Sequence, residues 1–149
     1  MLAKKGVIGP FGIDFILTPG EVEPSVYISE INLRMGGTSH PFNMAARVAE
    51  GRYDQDSGEL IAGGRAKTYV ATDNLKSKDL IGLPASKAID AIESAGLSYE
   101  HGSRAGALLH LLGALERYGK VGATCIGDSR EEADALYANV VRVLEGANR

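Results

Sequence analysis

Between Phe11 and Leu17 apolar side chains recur at every second position, with Phe11, Ile13, Phe15 and Leu17 in phase and Gly12, Asp14 and Ile16 out of phase. A period of two places them on opposite faces of a β-strand. A second run from Val26 to Leu33 reads the same way. Its spacing puts Val26, Ile28, Glu30 and Asn32 on one face and Tyr27, Ser29, Ile31 and Leu33 on the other. Thr18 to Glu23, holding Pro19-Gly20, is turn chemistry. Two strands this close predict an antiparallel hairpin with a longer loop. A symmetric register pairs Leu17 with Tyr27 and Asp14 with Glu30.

The rest of the chain alternates helix and strand signals. Lys4-Lys5-Gly6 suits a helix C-terminus closed by glycine. Arg34 to Pro41 is a loop, and Phe42 to Glu50 predicts a short helix with Met44, Ala45, Val48 and Ala49 on its apolar side. Arg52 to Glu59 is polar and turn-like, Arg65 to Ala71 a strand, and Asp73 to Asp79 a connector. Pro84 opens a helix that Gly96 ends. Gly106 to Leu115 reads as a buried strand, Glu116 to Lys120 as a turn, and Val121 to Ile126 as another strand. Ser129 with Glu132 forms an S-x-x-E capping box for a last helix whose apolar stripe runs from Ala133 to Leu144, with Gly146 closing it. This is an α+β pattern.

Composition narrows the function classes. The 149 residues carry 16 basic and 19 acidic side chains, a net charge of −3, which argues against a general nucleic-acid binder. A single cysteine, Cys125, excludes an internal disulfide framework and makes the cytoplasm the expected compartment. No apolar run approaches the ~20 residues of a membrane span, and the N-terminus lacks a signal-peptide core. Glycine is the outlier: 19 residues against about 10 for an ordinary chain of this length.

Chemistry concentrates on the hairpin. Glu30 and Asn32 project from one strand face, and the symmetric register sets Asp14 opposite Glu30. Like charges opposed across a ladder destabilise it. A divalent cation reverses that sign, and two carboxylates plus an amide suit Mg²⁺, which takes hard oxygen ligands and shares its shell with phosphates. Arg34 follows at the strand end, where a guanidinium can pair with phosphate. The backbone of Gly36-Gly37-Thr38-Ser39 offers amide donors to an anion. On spacing alone, the same face also fits a plain exposed hairpin carrying two acids and an amide.

The stretch Gly12-Ile-Asp-Phe-Ile16, followed by Glu30-Ile-Asn-Leu-Arg34, resembles the final metal-binding strands of ATP-grasp ligases. The longer string E-I-N-L-R-M-G-G-T-S-H-P-F is most similar to the peptide ligases of the pheganomycin-synthase type. The H-L-L-G-A-L, G-K-V-G-A-T and S-R-E-E-A segments resemble the C-terminal domain that accompanies them. The resemblance implies Asp14, Glu30 and Asn32 as metal ligands and Arg34 as a catalytic contact to phosphate or acyl phosphate. It further implies Arg34, Gly36 and Gly37 at the ATP phosphates, and Thr38, Ser39 and His40 at the substrate.

The implied cofactors are ATP and Mg²⁺, and the implied reaction joins a carboxylate to an amine through an acyl phosphate. The implied architecture is α+β. Residues 1–72 form the metal-strand part of an ATP-grasp lobe, an antiparallel hairpin plus helices, and residues 73–149 a small α+β C-terminal domain. The family's adenine pocket and phosphate-binding lysines lie upstream of the metal strands. The expectation is therefore the C-terminal part of a ligase, a truncated frame with Met1 internal or a split subunit, inactive alone. Its partners are small-molecule or peptide carboxylate and amine substrates and the absent N-terminal lobe or a further copy, with no nucleic acid and no membrane. The alternative is a non-catalytic module that oligomerises through the surface left by the absent lobe.

Other polar residues compete weakly. Ser39-His40 cannot easily make nucleophile–base geometry as loop neighbours, and no G-x-S-x-G elbow surrounds Ser39. His110 lies in an apolar run and reads as a core histidine, His101 as a turn residue, and Cys125 as a small buried hydrophobe. Lys67 and Arg104 carry no local sign of a role.

Overall fold

The structure, a computed structural model, describes residues 3–20 and 23–148. The chain is mixed α+β and divides into two compact units, Met1–Phe42 and Asn43–Arg149. The 72/73 boundary expected from the sequence falls inside a single strand, Arg65–Lys76.

The first unit opens on one 3₁₀ turn, Ala3–Lys5, closed by Gly6 at φ +80°, as the Lys-Lys-Gly signal implied. Strands β1 (Gly12–Thr18) and β2 (Ser25–Asn32) form the expected antiparallel hairpin. Glu21 and Val22 of the expected turn lie outside the described residues. The register is half as expected. Asp14 pairs with Glu30, but Leu17 pairs with Val26 rather than Tyr27, because the ladder slips one residue between Asp14 and Phe15. Phe15 then faces Ile28, and Ser29 is the extra residue of a β-bulge.

The bulge re-sorts the faces. Residues paired across a ladder share a face. Ile13, Phe15 and Leu17 therefore share one with Ile31, Ile28 and Val26, while Asp14 shares the other with Glu30, Asn32 and Tyr27. The strict alternation that put Val26 and Ile28 beside Glu30 is overturned by this single inserted residue.

The second unit is a five-stranded sheet with helices on both faces. Helix α1 (Ser39–Val48) leads into it, starting earlier than Phe42 because Ser39 and Gly36 close the preceding turn. The segment expected to be a polar turn is a hairpin, β3 (Arg52–Tyr53) with β4 (Leu60–Ala62), tightened by Asp54, whose carboxylate accepts from the Asp56 and Ser57 amides. Strand β5 (Arg65–Lys76) absorbs most of the expected connector. Helix α2 (Ala85–Ser94) follows Pro84 and ends at Gly96, φ +66°.

Strand β6 (Gly106–His110) is half the length expected. Leu111 turns left-handed at φ 57°, and a 3₁₀ turn leads into helix α3 (Leu115–Tyr118), where the sequence suggested a plain turn. Strand β7 (Lys120–Gly127) and helix α4 (Arg130–Gly146) complete the chain. The order is β3-β4-β5-β7-β6, antiparallel at each pairing, with β7 buried over nearly its whole length.

Alternation along β7 builds the two cores. Val121, Ala123 and Cys125 pack with Leu80, Leu83, Ile92, Val140 and Leu144. Ile126, from the other face, packs with Ala45 and Leu60, flanked by Tyr53, Tyr69 and Tyr99. Ser129 caps α4 by accepting from the Glu132 amide, while the Glu132 carboxylate reaches one residue further back than a capping box requires, to the Asp128 amide. Among the described residues no helix is long and apolar enough to cross a membrane.

Candidate functional site

The hairpin brings together three of the residues that the sequence singled out, Asp14, Glu30 and Asn32. Asp14 and Glu30 are direct cross-strand partners, and Asn32, opposite Gly12, donates from its amide nitrogen to the Asp14 carboxylate at 3.2 Å. Asp14 and Glu30 are exposed, with Asn32 half-buried beside them. Using its nitrogen on Asp14 leaves the Asn32 amide oxygen as the third hard donor of the face. Two carboxylates held opposite each other, plus that oxygen, fit the preference of Mg²⁺ for oxygen ligands.

Position is set by the ladder. The bulge lies immediately beyond the Asp14–Glu30 pair, so on the turn side Tyr27 rather than Ile28 falls on the acidic face. Bulges commonly re-aim side chains in this manner.

Beyond β2 the backbone forms a short anchored loop. Gly36 N–H donates to the Ser39 hydroxyl at 3.0 Å, and Ser39 N–H returns a bond to the Gly36 carbonyl at 3.0 Å. Ser39 and His40 sit in the first turn of α1, not in a loop. Thr38 accepts from the Phe42 amide through its carbonyl. Arg34 donates to the carbonyl of Met35 at 3.2 Å, and no described bond ties it to Asp14, Glu30 or Asn32. Gly37 continues the turn between Gly36 and Thr38.

The second unit holds ionisable groups of a different kind. Lys67, 4 % exposed, forms an ion pair with Asp128 and donates to the Ser103 carbonyl at 2.7 Å. The Lys67 ammonium, followed in weight by the Arg65 guanidinium, draws the Asp128 carboxyl below its ordinary range. Arg104 pairs with Glu50 at 3.4 Å. Burial pushes the Cys125 thiol up to about 12, which makes it the inert core residue the sequence suggested. Burial, then a hydrogen bond with Tyr69, raises the Tyr53 phenol. His110 stacks over Gly122, its Nε2 at 3.4 Å from the Thr124 hydroxyl, and His101 is exposed, edge-on to Tyr99. Sequence reasoning missed the Lys67–Asp128 pair, since 61 residues separate the partners and only the β5–β7 register joins them.

The comparisons with known proteins point to ligases. Residues 87–140 match the model of the PGM1 C-terminal domain, which accompanies ATP-grasp enzymes. That match runs from α2 into α4 and so covers much of the second unit. Over 146 residues the chain is 33 % identical to the L-propargylglycine--L-glutamate ligase of Streptantibioticus cattleyicolor, which covers 98 % of this chain and 30 % of that enzyme. No solved structure matches. The chain thus resembles the C-terminal portion of a ligase of the ATP-grasp kind, and it spans about 30 % of the length of the curated relative.

Proposed function

We propose that this chain is the metal-strand and C-terminal portion of a carboxylate–amine ligase that works through an acyl phosphate with Mg²⁺ and ATP in the cytoplasm. The observation that carries the reading is the Asp14–Glu30 pair, with Asn32 bonded to Asp14 on the same face. Two opposed carboxylates have a cost in a bare hairpin, and a cation removes it. Asp14, Glu30 and Asn32 would hold the metal through oxygen. When bound there, Mg²⁺ supplies charge neutralisation to phosphate oxygens.

Arg34 follows two residues after Asn32. Leaving the Met35 carbonyl would free its guanidinium to take two oxygens of a transferred phosphoryl group. The Gly36 and Gly37 backbone approaches the phosphates without side-chain hindrance, and Thr38, Ser39 and His40 offer polar contacts to substrate. In the overall step a substrate carboxylate oxygen attacks the terminal phosphorus and ADP departs. An amine then attacks the acyl carbon, phosphate leaves, and the amine loses a proton. The partners would be a carboxylate, an amine and the remainder of an ATP-grasp lobe, with no role for nucleic acid or membrane.

The test uses Mn²⁺ in place of Mg²⁺, because its unpaired electrons broaden nearby amide resonances. Mn²⁺ should selectively broaden Asp14, Glu30 and Asn32, and the effect should vanish in Asp14→Asn. Uniform broadening, or selective broadening that survives the substitution, overturns the metal site.

One observation favours a second reading, a non-catalytic module that associates with itself. The hairpin's other face leaves Phe15, Leu17, Val26 and Ile28 from 53 % to 65 % exposed. Exposed apolar clusters of this kind mark interaction surfaces.

A further inference from the structure

Helix α2 and the outer edge of β6 enclose a cleft of about 360 Å³, within the range of ligand sites. We propose that it docks a short extended peptide bearing an apolar side chain and a free amino terminus, which adds as a strand to β6 with its ammonium at Glu93. Three features of the second unit, independent of the metal-site reading, define that ligand.

The first is an open strand edge. Strand β6 is the last of the sheet. Ala107 N–H donates to the Leu97 carbonyl at 2.7 Å, and the Ala107 carbonyl accepts from the Tyr99 amide at 3.1 Å. The peptide groups of Ala107 therefore face away from β7. Alternate residues of an antiparallel strand face the same way, so those of Leu109 face outward too. After Tyr99 the chain turns back, with the Glu100 amide donating to the Ala105 carbonyl. Among the described residues no backbone bond closes the outward side of Leu109. The protein thus already adds one step of backbone to this edge and leaves the next step open, the condition for strand addition.

The second is the cleft itself. It is lined by Ile89 and Ile92 of α2, by Tyr99, and by both Leu108 and Leu109. Consecutive strand residues point to opposite faces, so a cleft touching both wraps the edge of the sheet. An added strand would therefore place one apolar side chain between Ile89 and Ile92.

The third is charge. Glu93 lines the cleft, is exposed, and takes part in no ion pair among the described residues. A backbone to hydrogen-bond, a side chain to bury and a cation to pair define an apolar peptide with a free amine.

The experiment is an amide NMR titration of the full chain with the tripeptide Leu-Val-Leu amide and with its N-acetylated form. The free peptide should give saturable shifts centred on Leu109, Ala107 and Tyr99. Acetylation and Glu93→Gln should each weaken binding by about five-fold, the size of an exposed ion pair. Ile89→Lys, at an exposed position on the cleft wall, should abolish the shifts and leave the remaining spectrum unchanged. Three results overturn the proposal: no saturable shift at millimolar peptide, equal binding of the acetylated form, or shifts at these amides that follow protein concentration without peptide. The last would mean that β6 pairs with a second copy.

Discussion

Lys67 shows how a single side chain can be held by the fold and still carry no catalytic sign. Its ammonium is buried, paired with Asp128 and bonded to the Ser103 carbonyl. Asp128 itself is exposed, so removing its charge leaves the buried ammonium with the Ser103 carbonyl alone, a largely uncompensated buried charge. Asp128→Asn should therefore lower stability by about 2 kcal/mol, a fall in Tm of several degrees in a thermal scan. The pH dependence has a definite sign. The Asp128 pKa is depressed in the folded state, so its contribution is present above the unfolded carboxyl value near ~4 and fades as pH falls through the folded value. The acid limb of a Tm–pH profile should be shallower in Asp128→Asn. Asp14 and Glu30 are a different kind of pair, two like charges opposed across a ladder. Glu30→Gln should slow amide exchange in the metal-free hairpin by relieving repulsion of about 0.5 kcal/mol, while abolishing the Mn²⁺ effect. Faster exchange in that variant would mean that the two carboxylates do not repel.

At the scale of elements, pattern and local chemistry made most strands and helices legible, and register was where legibility ended. The S-x-x-E cap placed α4 because the Ser129 hydroxyl and the Glu132 amide meet within one turn. Ser129→Ala should cost about 1 kcal/mol by equilibrium unfolding. The Asp14–Glu30 pairing was readable from a symmetric register, although next to the connection Leu17 pairs one residue away from that register, with Val26. The bulge at Ser29 was not, because both Ser29 and Ile28 obey a period of two, and only the packing of Ile28 opposite Phe15 decides between them. Asp14 and Glu30 stay opposite each other because the slip falls on the turn side of them. Strand β6 was overextended for a similar reason. Leu108 to Leu115 is apolar throughout save two residues, and nothing in it announces the left-handed turn at Leu111. Gly106 is the exception, a glycine whose role is geometric. At φ +123°, a Cβ there would lie 2.4 Å from the Ser98 carbonyl oxygen and 2.5 Å from the Tyr99 Cα. Gly106→Ala should destabilise the second unit by more than about 2 kcal/mol and detach residues 97–99 from β6. Gly113→Ala, with open space around its added methyl, should leave Tm nearly unchanged.

At the scale of the molecule, the division into two units separates the elements that a core holds from those that none does. Strand β7 lies between two packed faces, with every residue from Val121 to Gly127 buried. In the hairpin, β2 is exposed from Ser25 to Ile31. A two-stranded hairpin by itself is marginally stable in water. Amide exchange should show this as a gap in protection, with β7 amides opening only on global unfolding and β1–β2 amides exchanging orders of magnitude faster. The two readings of function then part on what closes that gap. If the hairpin is a metal-bearing piece of a ligase lobe, its apolar face takes the remainder of that lobe as its complement, and the isolated chain carries an unsatisfied surface. If the chain is a self-associating module, the complement is another copy. Sedimentation velocity over a wide concentration range distinguishes the two. Self-association through this face predicts a sedimentation coefficient that rises with concentration and stays flat in the Phe15→Ser/Ile28→Ser double variant, with hairpin protection rising in step. A concentration-independent monomer with a fast-exchanging hairpin would remove the module reading, and the ligase lobe would then be the one complement for which the sequence of β1 and β2 also supplies the chemistry.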